Sequence, residues 1–406
     1  MKLEQKILNI LKEEIVPAQG CTEPIAIAYV SAKAVEILGN IPDKIDVYVS
    51  GNMIKNVKSV SIPNSEGMVG IEASVALGAV AGNANEELMV ISSLEHEDIK
   101  KVKDYLNTHT ISVIHDNTDV KLYVKVVAFY KETCALVEIK HFHTNITRIE
   151  KNGELLLDQI CNDVDFKTTS QDRSILNIKM IYDLAKTMDI KEVEPIFNQV
   201  IELNSNIANA GLNEEFGVNI GSLIQKNMNN GLYGKDVRNQ CASFTSAGSD
   251  ARMSGCSLPV MTTSGSGNQG MTASLPIIKY CKEKDLSKEQ LIRGLLFSHL
   301  TTIHIKTNVG RLSAFCGVMC AASAVSGAIS FLENADYDTV ANSITNSLGN
   351  ISGVICDGAK ASCATKIATG IYAAFDSSML ALNNKYLHGG EGIISFDIEE
   401  TIKNIG

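Results

Sequence analysis

The segment Cys356-Asp357-Gly358-Ala359-Lys360-Ala361-Ser362-Cys363 is a C-x6-C pair that follows a Gly349-Asn350-Ile351-Ser352-Gly353 turn, and Cys316 stands well upstream of it. Thiols at this spacing meet only if the Asp-Gly stretch folds back as a loop or if both lie on one helix face, two turns apart. The paired C-x2-C knuckles of a zinc ribbon are absent. Spacing alone therefore leaves two readings open, a metal centre and small cysteines packed between helices. A fourth thiol stands in Gly20-Cys21-Thr22-Glu23-Pro24. At a helix entrance the positive end of the macrodipole favours thiolate, giving a base or nucleophile. The alternative is a buried cysteine beside an N-cap threonine.

Two Ser/Gly-rich stretches add binding chemistry. They are Thr245-Ser246-Ala247-Gly248-Ser249-Asp250-Ala251-Arg252-Met253-Ser254-Gly255 and Ser264-Gly265-Ser266-Gly267-Asn268-Gln269-Gly270. Read as loops, they offer backbone N–H groups to a carboxylate or phosphate. The second opens into a helix near Met271. It lacks the Gly-Lys-Ser/Thr of a P-loop, and its G-x-G-x-x-G lettering, with Pro259 just upstream, has no βαβ setting, so nucleotide binding is discounted. A tight interhelical turn is the other reading of this loop. Among the eight histidines, His141 and His143 fall on one face of an expected strand and His299 and His304 lie five apart. No H-E-x-x-H or Ser/His/Asp pattern appears, so most of the eight are assigned to the surface or to satisfied core positions.

The elements that must position these groups are legible from composition and periodicity. With 45% apolar and 20% charged residues the chain is globular rather than disordered. A net charge of −10 without a basic stripe excludes nucleic acid. The N-terminus interleaves charges with apolar residues and has no signal-peptide core, which places the chain in the cytoplasm. The ten cysteines are then not disulfides by default. Residues 1–40 read as helices broken at 18–24. Residues 41–160 read as α+β, with strands at Ile45–Val49, Leu88–Ile91, Thr110–Ile114, Val120–Tyr130 and Cys134–Phe142 and helices at Ala73–Ala81 and His96–Asn107. Residues 161–406 read as a mostly helical domain, on which the N-terminal segment packs. The uncharged run Leu312–Leu332 is read as a central helix buried on all sides rather than a membrane span. Cys134, Cys161, Cys241, Cys256, Cys281 and Cys320 are taken as structural, although Cys320 is i+4 from Cys316 and would share its helix face.

Taken together, the Cys21 motif, the Ser264–Gly270 loop and Cys316 followed by the Cys356–Cys363 segment resemble the L-cysteine desulfidases. These belong to the wider superfamily of iron–sulfur L-serine dehydratase alpha chains, and the resemblance covers essentially the whole chain. It implies a [4Fe–4S] cluster held by Cys316, Cys356 and Cys363, and Cys21 as catalytic base. The implied reaction, without pyridoxal phosphate, takes L-cysteine to pyruvate, ammonia and sulfide. Serine dehydratases have a longer gap between the last two cysteines and a Cys-Asp-Pro start where this chain has Cys356-Asp357-Gly358, which favours the desulfidase branch. Loop chemistry assigns Ser264, Ser266, Asn268, Gln269 and Lys360 to the substrate carboxylate, with Arg252 or Lys306 assisting. The rivals are an iron–sulfur L-serine dehydratase and a non-catalytic iron–sulfur or zinc sensor. The expected partner is a small amino acid, without nucleic acid or membrane and with self-association left open. The expected enzyme is oxygen-sensitive.

Overall fold

A computed structural model of the chain describes residues 3–159, 172–310 and 312–406. Cys161 and Arg311 lie outside the described residues. The class is α+β, with two main cores. A six-stranded sheet runs in the order 110–115, 44–49, 123–130, 133–140, 146–151, 154–158. Only the first pair is parallel; the rest are antiparallel. Ile45, Val47 and Val49 alternate into its buried face, as period-2 patterning demands. The helices Thr22–Leu38 and Ile71–Ala81 share that core with the strands. The second core is built from helices, with Gly317–Leu332 at its centre. Every residue from Val318 to Leu332 is buried, as expected for the uncharged run, but the helix begins only at Gly317, and Ala314 and Phe315 before it are exposed. Among the described residues no helix is long and apolar enough to cross a membrane.

Several expectations are corrected. The first forty residues do not act as one segment: helix Leu3–Glu14 joins the helical core, whereas Thr22–Leu38 joins the sheet core. The Leu88–Ile91 strand is absent, and a short 3₁₀ helix, Ala84–Met89, and a turn take its place. The hairpin of Ile146–Lys151 and Glu154–Asp158 was not anticipated. The expected strand through Phe142 stops at Lys140, so His141 and His143 sit in the bend beyond it.

The Thr245–Gly255 stretch is not a loop, since helix Val237–Met253 runs through most of it. Its small residues admit neighbouring backbones: a Cβ on Gly211 would stand 1.9 Å from the Ala247 carbonyl oxygen. Gly211→Ala is therefore expected to cost about 1–3 kcal/mol by overpacking. Urea unfolding measures this, and an unchanged midpoint would contradict so close a helix contact.

Candidate active site

Short-range backbone pairing brings the thiols together. Phe315 and Ile355 form an isolated antiparallel bridge. The Cys316 N–H donates to the Val354 carbonyl at 2.9 Å and the Cys356 N–H to the Ala314 carbonyl at 2.7 Å. Cys316 and Cys356 are thus diagonal cross-strand neighbours, a relation that spans about 7–8 Å between backbones and less between side chains. The C-x6-C segment folds back as a loop, and Cys363 falls in the first turn of helix Ser362–Leu382. Gly358, at the bend, has φ +98°, and a Cβ there would stand 2.7 Å from the Lys55 carbonyl oxygen. Proline, locked near φ −65°, cannot occupy this position in this loop.

Cys21 reaches the same cleft from the other core. Pro17–Gln19 pairs antiparallel with Pro259–Met261, so a short strand precedes the Ser/Gly loop after all, though not in a βαβ unit. Thr263 and Ser266 then exchange backbone hydrogen bonds around Ser264 and Gly265, both at positive φ. That is the two-residue hairpin geometry of a type I′ turn. Thr22 Oγ1 donates to the Gly265 carbonyl at 2.9 Å, tying this turn to the Cys21 helix entrance.

One cleft of about 800 Å³, measured with its open mouth, is lined by Cys21, Cys316, Cys356 and Cys363 together with Ser264, Ser266, Asn268 and Gln269. Lys360 is not on that lining. Its ammonium pairs with Asp357 at 3.0 Å, and hydrogen bonds from Lys366 and Lys360 hold the Asp357 carboxyl at about 2. The cations on the lining are Arg252, Lys306 and Lys55. Lys306 donates to Ser313 and Lys55 to the Cys356 carbonyl. Arg252 is only 2% exposed, and its Nε has no hydrogen-bond partner.

Four helix N-termini converge here. Cys21, Ser266 and Cys316 are the N-caps of Thr22–Leu38, Gly267–Glu283 and Gly317–Leu332, and Cys363 lies in a fourth first turn. Each contributes partial positive charge and free N–H groups. The cleft is thus built for anions in a chain whose overall charge is negative. Three buried acceptors also lack donors: Asn268 Oδ1, Gln269 Oε1 and Asn56 Oδ1. The Gln269 orientation is fixed by its Nε2 donating to the Thr263 carbonyl at 3.2 Å.

Among the described residues no three His, Cys, Asp or Glu side chains gather closely enough for a single metal ion. Three cysteines spread around one cleft instead suit a multi-iron cluster, in which each thiolate binds its own iron. The donor set and the surrounding positive dipoles fit such an anionic group. Cys320 is buried in the helix behind Cys316 and does not line the cleft.

Cys21 departs from the expectation that its helix end would stabilise a thiolate. Burial pushes its thiol well up, the Glu23 carboxylate pushes it further, and Arg252 opposes only in part. Cys21 Sγ donates to Glu23 Oε2 at 3.1 Å. Lys55, Asn56 and His143, all from the sheet-containing part, also line the cleft. No local motif marked them, because only tertiary packing brings them there.

Residues 85–406 match the serine dehydratase alpha chain family. The chain belongs to that family of iron–sulfur lyases. It is 60% identical over 402 residues to a UPF0597 protein of Fusobacterium nucleatum, covering 99% of this chain and 94% of that one. It is 44% identical over 403 residues to a UPF0597 protein of Desulfitobacterium hafniense, covering 99% and 92%.

Proposed function

We propose that this protein is a cytoplasmic, oxygen-sensitive L-cysteine desulfidase that depends on a [4Fe–4S] cluster and not on pyridoxal phosphate. The reading is carried by one observation: three cysteines from the helical part share a cleft with Cys21, which comes from the other core. Cys316, Cys356 and Cys363 would hold the cluster, making residues 161–406 the catalytic iron–sulfur domain. Bound by three thiolates, such a cluster offers an iron open to substrate, which supplies Lewis-acid chemistry.

The chain's own residues account for the rest. Arg252, buried and with its Nε unsatisfied, binds the α-carboxylate, assisted by the hydroxyls of Ser264 and Ser266. Asn268 Oδ1 and Gln269 Oε1 accept from the α-ammonium. The amino acid is thereby held by both charged ends, leaving the Cα–H to face a base. Cys21 Sγ takes that proton, the freed pair forms the Cα=Cβ bond, and the Cβ–S bond breaks with its pair on sulfur. The resulting aminoacrylate tautomerises and hydrolyses to pyruvate and ammonia. A non-catalytic sensor would have no use for Cys21 at this place.

Arg252→Ala is expected to raise KM roughly 10- to 100-fold, the scale of a lost charge-assisted hydrogen bond. Steady-state kinetics measures this, and an unchanged KM would move carboxylate binding elsewhere.

L-Serine is the second reading, favoured by the family to which the chain belongs, with the same groups acting on a hydroxyl leaving group. The Gly358 bend favours cysteine, since the Cys-Asp-Pro start typical of serine dehydratases does not fit this loop. The test is kcat/KM for L-cysteine against L-serine on one anaerobic preparation. A higher value for serine would replace the desulfidase assignment with the dehydratase.

A further inference from the structure

Glu23 is an ionisable group enclosed with Cys21 and left unused by the reaction outlined above. Its Oε2 receives the Cys21 thiol at 3.1 Å and the Thr22 hydroxyl at 3.1 Å, and its Oε1 receives Asn56 Nδ2 at 3.0 Å. The carboxylate is 9% exposed and lines the cleft. The charged groups that act on the pair from the surrounding elements are His143, from the bend after the Thr133–Lys140 strand, and Arg252, from helix Val237–Met253. Burial works against the Glu23 charge, but His143, the Cys21 thiol and Arg252 outweigh it and hold the carboxyl below its ordinary range. The ground state is therefore a thiol donating to a carboxylate, which is not yet a base.

We infer that Glu23 is the proton acceptor that arms Cys21, the two side chains working as a couple that shares one proton. This rests on the reading of Cys21 as base given above. In the arming step the S–H bond of Cys21 breaks and an O–H bond forms on Glu23, with the pair's charge unchanged at one negative. The thiolate then takes the Cα proton of the substrate. After product leaves, the couple carries two protons and returns to its starting state by releasing one, which balances the proton taken up by the leaving group. Asn56 and Thr22 fix the carboxylate so that one oxygen always faces sulfur. Glu23 is thus a positioning and proton-holding residue that acts through Cys21.

In full-length protein stripped of iron, alkylation of Cys21 by iodoacetamide is followed against pH by mass spectrometry of the Cys21 peptide. Removing the negative neighbour in Glu23→Gln should lower the midpoint of that profile by about one pH unit or more, whereas Glu23→Asp, which keeps the charge, should stay near wild type. In cluster-loaded protein, Glu23→Gln should change the shape of the kcat/KM profile against pH. Its activity should rise with pH towards its own alkylation midpoint, because Cys21 must now release its proton to solvent rather than to Glu23. Glu23→Asp should keep the flatter wild-type profile. An unshifted alkylation midpoint, or a Glu23→Gln pH profile of wild-type shape, would overturn the inference. A purely structural role for Glu23 would lower activity equally at every pH. If wild type releases pyruvate from neither amino acid, the proposed function fails, yet the alkylation arm still decides whether Cys21 and Glu23 are coupled.

Discussion

Cys21→Ala is expected to keep its full iron content and to lose turnover by roughly 10²–10⁴-fold, the range over which a positioned base contributes. Retention follows from the origin of the residues. Cys21 caps a helix of the sheet core, whereas the three proposed ligands come from beside the Phe315–Ile355 bridge and from the first turn of helix Ser362–Leu382. Removing one thiol from the opposite wall leaves those three intact. The loss of turnover follows from the position of the sulfur, which is buried in the cleft beside Arg252 and Glu23. Cys21→Ser should be nearly as slow, since a hydroxyl gives up its proton far less readily than a thiol. Anaerobic iron analysis beside steady-state assay checks both halves. Loss of iron in Cys21→Ala would make Cys21 a ligand instead.

Cys356→Ala should remove both the iron and the activity. Cys356 is held beside Cys316 by the Phe315–Ile355 bridge, and its carbonyl takes the Lys55 ammonium at 3.3 Å. Cys320, buried in the helical core, does not line the cleft and is not placed to replace Cys356. A cluster left with two thiolates is not expected to survive purification, so iron should fall to background and turnover with it. The protein should still fold, because Cys356 is only partly buried and packs at the margin of the helical core. Iron analysis and circular dichroism on the same sample separate loss of cluster from loss of fold. Cys356→Ala protein with wild-type iron would place the cluster elsewhere.

The motifs around the four proposed functional cysteines were legible, but spacing alone left packing open for each, and their proposed roles came with the family resemblance. Glu23 stood in the open inside the Cys21 motif, but its role needed the 3.1 Å contact that only the fold supplies. Lys55 and Asn56 carried no signal, and His143 was noted only as a strand-face histidine, because all three reach the cleft through long-range packing. The Thr245–Gly255 stretch misled for a physical reason: serine, glycine and alanine mark loops, but they equally let helix backbones approach, as Gly211 and Ala247 do. The missed hairpin did carry a signal. Asn152 and Gly153, both at positive φ between two short strands, are the Asn-Gly pair of a type I′ turn. The Leu88–Ile91 error belongs to a known ambiguity, since a short apolar run fits a buried turn as well as a strand.

The central claim is that one cleft combines an iron–sulfur centre with a thiol base to split a small amino acid. Its most direct test is to purify the full-length protein anaerobically, count iron and acid-labile sulfide, and follow pyruvate release from L-cysteine and L-serine side by side. The account predicts about four irons and four sulfides per chain, pyruvate from L-cysteine in preference to L-serine, and bleaching of both colour and activity in air. Iron-free protein that turns over, or fully loaded protein that releases pyruvate from neither amino acid, would contradict it.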